Sequence, residues 1–146
     1  MSTINIDLIR RKLSRLTMYL ERLKPLLEKK IGDYLKDDYL RFSTERLIQL
    51  IVECAADINN HVVVKNGQKP PEDYRSSFVK AAEAGLISRG LADNIKGSAG
   101  MRNILVHEYM DIDDKLIFET IPLAIKHYRE YCKEVNAFIE KLEKKK

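Results

Sequence analysis

The stretch Gly97-Ser98-Ala99-Gly100-Met101-Arg102-Asn103-Ile104-Leu105-Val106-His107-Glu108-Tyr109 sets reactive side chains at the end of an otherwise apolar helical pattern. An imidazole ordinarily titrates near ~6.5, so at neutral pH it can take a proton from a ribose 2′-hydroxyl or give one to a leaving oxygen. A guanidinium offers a planar fork of donors that fits phosphate oxygens and stabilises the extra charge of a pentacoordinate transition state. Arg102 and His107 together therefore hold the chemistry for metal-independent RNA cleavage, in which the 2′-oxygen attacks the adjacent phosphate. Asn103 lies four residues before His107 and shares its helical face, where it could orient the imidazole or bind the phosphate. Arg102 and His107 are five apart, and on an ideal helix their directions differ by roughly 140°. They converge if Arg102 wraps around, if the helix loosens near His107, or if a second subunit supplies the missing group. As residues alone they are equally compatible with structural hydrogen bonds inside a bundle that has no site.

Other candidates are fewer. Glu53, Asp57 and His61 step by four along one helix and could line a cleft or form a solvated stripe. One His and two carboxylates at helical spacing arise often by chance, so no metal site is expected there. Gly97 and Gly100 would permit close approach of another backbone or a ligand. Cys54 and Cys132 lack the paired spacing of a zinc or redox motif and read as reduced, partly buried thiols. His127 reads as a surface or subunit-contact residue. No Walker-type phosphate loop and no Gly-x-Ser-x-Gly elbow occurs, so an ATPase or serine hydrolase has no support, and no cofactor is expected.

The elements that must position these residues are helices. Ile6, Ile9, Leu13, Leu16, Leu20, Leu23 and Leu27 alternate steps of three and four, one amphipathic stripe that Pro25 should kink or end. Beyond Gly32 a second helix is predicted from Tyr34 to about His61, with Leu40, Leu47, Leu50, Ile51, Cys54 and Ile58 inward and Ser43 or Thr44 outward. Val62-Val63-Val64 should finish that helix, and Asn66-Gly67 and Pro70-Pro71 predict a loop. Pro71-Glu72-Asp73 reads as the first turn of a third helix closed by Gly85, with Ser88 capping a fourth over about 89–106. Asp111, Asp113 and Asp114 introduce a fifth, bent early by Pro122, with Ile121, Ala124, Ile125, Tyr128, Cys132, Val135, Ile139 and Leu142 as its stripe. Such helices can bury their apolar faces only against one another, which predicts an all-α, up-and-down bundle of four or five helices, and leftover apolar surface favours a homodimer.

Composition sets the outer bounds. At 146 residues, 45% hydrophobic and 33% charged, the chain suits one soluble domain over 1–146 and is neither disordered nor fibrous. Only 6 Gly and 4 Pro interrupt it, which favours helix. The net charge of +4 suits a polyanionic partner. Three of those charges sit in Lys144–Lys146, within a basic tail over 143–146 that is expected to fray, so the total alone does not argue for a basic cleft. No apolar run approaching the ~18 residues that span a bilayer is evident, and a cytoplasmic location is expected.

The run Arg102-Asn103-Ile104-Leu105-Val106-His107 resembles the Arg-x4-6-His signature of HEPN domains, and Glu108-Tyr109 extends it to the Arg-x4-His-x-Tyr form of HepT-like toxins. The resemblance covers the helical layout from about Asp33 to Phe138, including the Pro70-Pro71 loop and the acidic Asp111 to Asp114 turn. It implies a dimer in which two motifs line one cleft, and a metal-independent endoribonuclease with Arg102 and His107 as the catalytic pair and Asn103 in support. It also implies a partner, an MntA-like nucleotidyltransferase antitoxin that adenylylates Tyr109, placing charge and bulk two residues from His107 where RNA would approach. The alternative within the same family is a non-catalytic member that binds nucleotide or docks a nucleotidyltransferase as a scaffold.

Overall fold

Each amphipathic stripe becomes a helix in the computed structural model, which describes residues 3–145, the side chain of Tyr109 excepted. Lys146, the end of the predicted basic tail, lies outside the described residues. The elements are α1 (Ile6–Leu23), α2 (Ile31–Lys36), α3 (Asp38–Lys65), α4 (Tyr74–Glu83), α5 (Arg89–Ile95), α6 (Gly97–His107) and α7 (Asp114–Lys144), and no strand occurs among the described residues. Helix α3 is central: it packs on α1, α4 and α6, while α7 closes the bundle against α1, α2 and α5. Their buried side chains form one connected apolar cluster that includes Leu16, Leu20, Ile51, Ile58, Ile121 and Val135.

Helix ends explain most boundaries. Asn5, Asp37, Ser88 and Asp113 each accept a backbone N–H of the first turn, and Asp73 forms a capping box with Ser76. Helix α4 therefore starts at Tyr74, and Pro71-Glu72-Asp73 precede it instead of forming its first turn. The correction follows from Asp73, whose carboxylate takes the Ser76 N–H at 2.7 Å and leaves its own backbone extended. Helices α3 and α4 both end with glycine at positive φ, Gly67 at 84° and Gly85 at 83°. In each case the residue after the glycine donates to a carbonyl five back, Gln68 to Val63 and Leu86 to Ala81.

Three expectations need correction. The helix expected over 89–106 is two, α5 and α6, divided at Lys96, and the one expected from Tyr34 is divided at Asp37. Thr44, placed outward from sequence, is 1% exposed, and its hydroxyl has no hydrogen-bond partner among the described residues. Helix α3 does contain an 18-residue window of mean hydropathy 1.3, long and apolar enough to cross a membrane by composition. Half of that window is buried in the bundle, because a helix packed on several neighbours is apolar on more than one side.

Candidate active site

Arg102, in the middle of α6, turns its guanidinium towards α3. Its Nε and Nη2 donate to Glu53 Oε2 at 3.1 and 3.0 Å, and Gln49 Nε2, one turn earlier on α3, donates to the same oxygen at 2.9 Å. The Tyr74 ring, at the start of α4, lies 4.3 Å from Arg102 Cζ, within cation–π range. Nη1 donates to Asn103 Oδ1 at 3.3 Å. The arginine side chain is only 13% exposed, a burial a guanidinium tolerates when a carboxylate and an aromatic face replace its water. Its remaining Nη N–H groups are the ones left for a phosphate.

His107 is the last residue of α6 and is exposed. The helix holds up to that point, with the Glu108 N–H donating to the Ile104 carbonyl at 2.9 Å. No hydrogen bond joins His107 to Arg102 or to Asn103 among the described residues. Two of the three routes to convergence are thus closed within one chain: Arg102 is turned to α3 instead of wrapping towards His107, and α6 does not loosen before it. Tyr109 follows in a short 3-10 turn, Tyr109–Asp111. The adenylylation expected there falls on a side chain outside the described residues.

Of the trio on α3, only Glu53 faces the motif. Asp57 pairs with Lys12 of α1 at 2.8 Å, and this hydrogen bond raises the lysine pKa. His61 Nε2 accepts the Asn5 N–H at 2.9 Å, where α1 begins. Its pKa is lowered, by burial first and by nearby Lys65 second. Of the cleft lining expected of Glu53, Asp57 and His61, the structure has two members together: Glu53 and Asp57 share a groove between α1 and α3, and His61 stands apart from it. Each step of four turns about 40° around the axis, so over two steps the row swings from α6 to α1. Among the described residues, no group of three His, Cys, Asp or Glu side chains could hold a metal ion. Gly97 and Gly100 approach nothing closely either: a Cβ on each would meet no atom within 4 Å.

Sequence reasoning missed Gln49 and Tyr74. Gln49 was discoverable, since it stands four residues before Glu53 on a helix. Tyr74 gives no local signal, because tertiary contacts place it. Asn59 of α3 donates from Nδ2 to Ser77 Oγ at 3.2 Å, and Ser77 Oγ donates to the Tyr74 carbonyl at 2.6 Å. Tyr131 of α7 reaches Asn59 Oδ1 at 2.6 Å and the Ala55 carbonyl at 3.0 Å. This buried chain fixes the start of α4, and hence the ring over Arg102. His127 lines an apolar cavity of about 180 Å³ with Ile48, Val52, Ile95, Met101 and Leu123, apart from the polar atoms of Arg102. Burial raises the thiol pKa of both Cys54 and Cys132.

Comparisons with known proteins identify the family. Residues 16–135 match the family described as ribonuclease HepT-like. The tRNA nuclease HepT of Aphanizomenon flos-aquae is 34% identical over 143 residues, covering 98% of this chain and 97% of that protein. The mRNA nuclease HepT of Shewanella oneidensis is 26% identical over 132 residues, covering 90% and 98%. Among solved structures, the tri-AMPylated Shewanella oneidensis HEPN toxin in complex with MNT antitoxin superposes with a TM-score of 0.79 at 25% identity, over 91% of this chain and 99% of that one. The match of 120 residues, together with the end-to-end likeness to a HepT nuclease, is decisive: this chain belongs to the ribonuclease HepT-like family.

Proposed function

We propose that this chain is the endoribonuclease toxin of a toxin–antitoxin pair, cutting RNA without a metal through Arg102 and His107. The observation that carries it is the Arg102 guanidinium, oriented from three sides by Glu53, Tyr74 and Asn103 within five residues of an exposed imidazole. In the reaction His107 takes the proton of a 2′-hydroxyl or delivers one to the leaving 5′-oxygen, while Arg102 neutralises the phosphate. Asn103 supports by holding the outer edge of the guanidinium. Since no hydrogen bond joins Arg102 to His107 within a chain among the described residues, a second copy completes the site. Tyr39, 87% exposed, and Phe42, 63% exposed, lie on the same face of α3 as Glu53. Aromatic surface on the face that leads to the site is suited to that homodimer contact. A cytoplasmic location suits an RNA substrate.

Tyr109 is the proposed site of neutralisation. Its hydroxyl would attack the α-phosphate of ATP on an MntA-like nucleotidyltransferase, releasing pyrophosphate and leaving an adenylate two residues along the chain from His107. The solved complex of a tri-AMPylated HEPN toxin with its antitoxin supports this reading. The decisive experiment is cleavage of RNA by purified protein in excess chelator. Wild type should cut, and Arg102→Ala and His107→Ala should each lose about 10²- to 10⁴-fold. Equal cleavage by all three would overturn the assignment. The depth of the Arg102–Glu53 pair also suits a non-catalytic member with a structural arginine; that reading expects wild type not to cut RNA and not to arrest growth when expressed alone.

A further inference from the structure

Between α1 and α3 runs a groove of about 890 Å³ that the catalytic reading does not use. Its walls carry Arg11, Lys12, Arg15 and Tyr19 from α1 and Glu53 and Asp57 from α3. The charges do not cancel locally. Asp57 is taken by Lys12 and Glu53 by Arg102, whereas Arg11 and Arg15 have no carboxylate within ion-pair distance among the described residues. Both arginines are exposed, and Tyr19 is half-buried. Positions 11, 15 and 19 step by four, so two guanidinium groups and a phenol ring follow one another down one face of α1. Successive members of that row are about 6 Å apart along the axis, close to the reach of one nucleotide in an extended strand.

We propose that this groove is a binding track for single-stranded RNA, in which Arg11 and Arg15 take backbone phosphates and Tyr19 stacks on a base. The inference rests on the ribonuclease reading and extends it from the reacting phosphate to its neighbours. Two observations favour RNA over an acidic protein surface. Net positive charge would serve either, but a ring in line with the cations adds a partner for a nucleobase, the combination that single-strand binders use. Glu53 also belongs to both places, forming the groove wall and holding Arg102, so a strand in the groove is led to the catalytic guanidinium.

The test uses the full chain carrying His107→Ala, so that a single-stranded RNA of about ten nucleotides is bound and not cut. In that background Arg11→Ala with Arg15→Ala should weaken binding at least about tenfold and reduce the slope of log affinity against log salt by about 1.4, the release expected for two cations on a single strand. Lysine at both positions should restore the slope, and Tyr19→Ala should weaken binding without changing it. With His107 present, the double alanine variant should lose more in KM than in kcat. Unchanged affinity and slope in a double variant that melts like wild type would overturn the proposal. So would a loss confined to capture of the nucleotidyltransferase antitoxin, which would make the groove a protein-docking surface. Failure of wild type to cut RNA would strike the ribonuclease reading instead, and the binding data would still decide the groove.

Discussion

At the scale of single residues, the site depends on an ion pair that is nearly but not wholly removed from water. The Arg102 side chain is 13% exposed and that of Glu53 27%. Replacing Glu53 with Gln preserves shape and removes the charge that compensates the guanidinium. The cost should be about 1–2 kcal/mol, below the ~3–5 kcal/mol of a fully buried pair because Glu53 still touches solvent. A urea titration would read this as a lower midpoint with unchanged slope. Cleavage should fall as well, by less than in Arg102→Ala, because the arginine remains but is less firmly aimed. A Glu53→Gln variant as stable as wild type would mean that water already screens the pair. That Arg102, Asn103 and His107 gather at one helix end was legible in the sequence, but their spacing alone left a structural role equally open. Their partners were only half legible, since Glu53 was one of three equal candidates until the drift of α3 separated it from Asp57 and His61.

At the scale of elements, the sequence announced helices well and their joints poorly. The stripe of α1 is nearly complete in sequence because each of its apolar residues meets one core, and Ile9, Leu13, Leu16, Leu20 and Leu23 are all buried. The α-helix does end beside Pro25, giving way at Lys24 to a 3-10 turn over Lys24–Glu28. The breaks at Asp37 and Lys96 were illegible because neither is a proline or glycine, and Asp37 acts by capping α3 through the Leu40 N–H. Tyr131 was missed on α7 because a tyrosine beside Cys132 looks amphipathic, yet it is fully buried with its hydroxyl on Asn59. That network yields a prediction about α4. Asn59→Ala leaves the Tyr131 hydroxyl with the Ala55 carbonyl alone and Ser77 with the Tyr74 carbonyl alone, so it should cost about 1–2 kcal/mol. It should also loosen the start of α4 and the Tyr74 ring, lowering cleavage at temperatures where the variant is still folded. Loss of stability with full specific activity would show that Tyr74 has no part in aiming Arg102.

At the scale of the whole molecule, the proposed mechanism requires an arginine facing α3 and a histidine at the end of α6 to act on one phosphate. A symmetric dimer in which Arg102 of one copy approaches His107 of the other would supply what the single chain lacks, and symmetry would then make two such sites. Mixing inactive chains tests this directly. Arg102→Ala and His107→Ala protomers, unfolded together and refolded, should form mixed dimers in which one of the two sites has an intact arginine and an intact histidine. Statistical assortment then predicts recovery of about a quarter of wild-type activity from two inactive parents. If each site is built within one chain, the mixture stays inactive. Tyr39→Glu with Phe42→Glu completes the argument from the other side. Both residues are well exposed, so the fold should survive, while light scattering should report a monomer and cleavage should fall about 10²-fold or more as the two groups lose their alignment. A wild-type chain that is monomeric at its working concentration and still cuts RNA would refute the shared site.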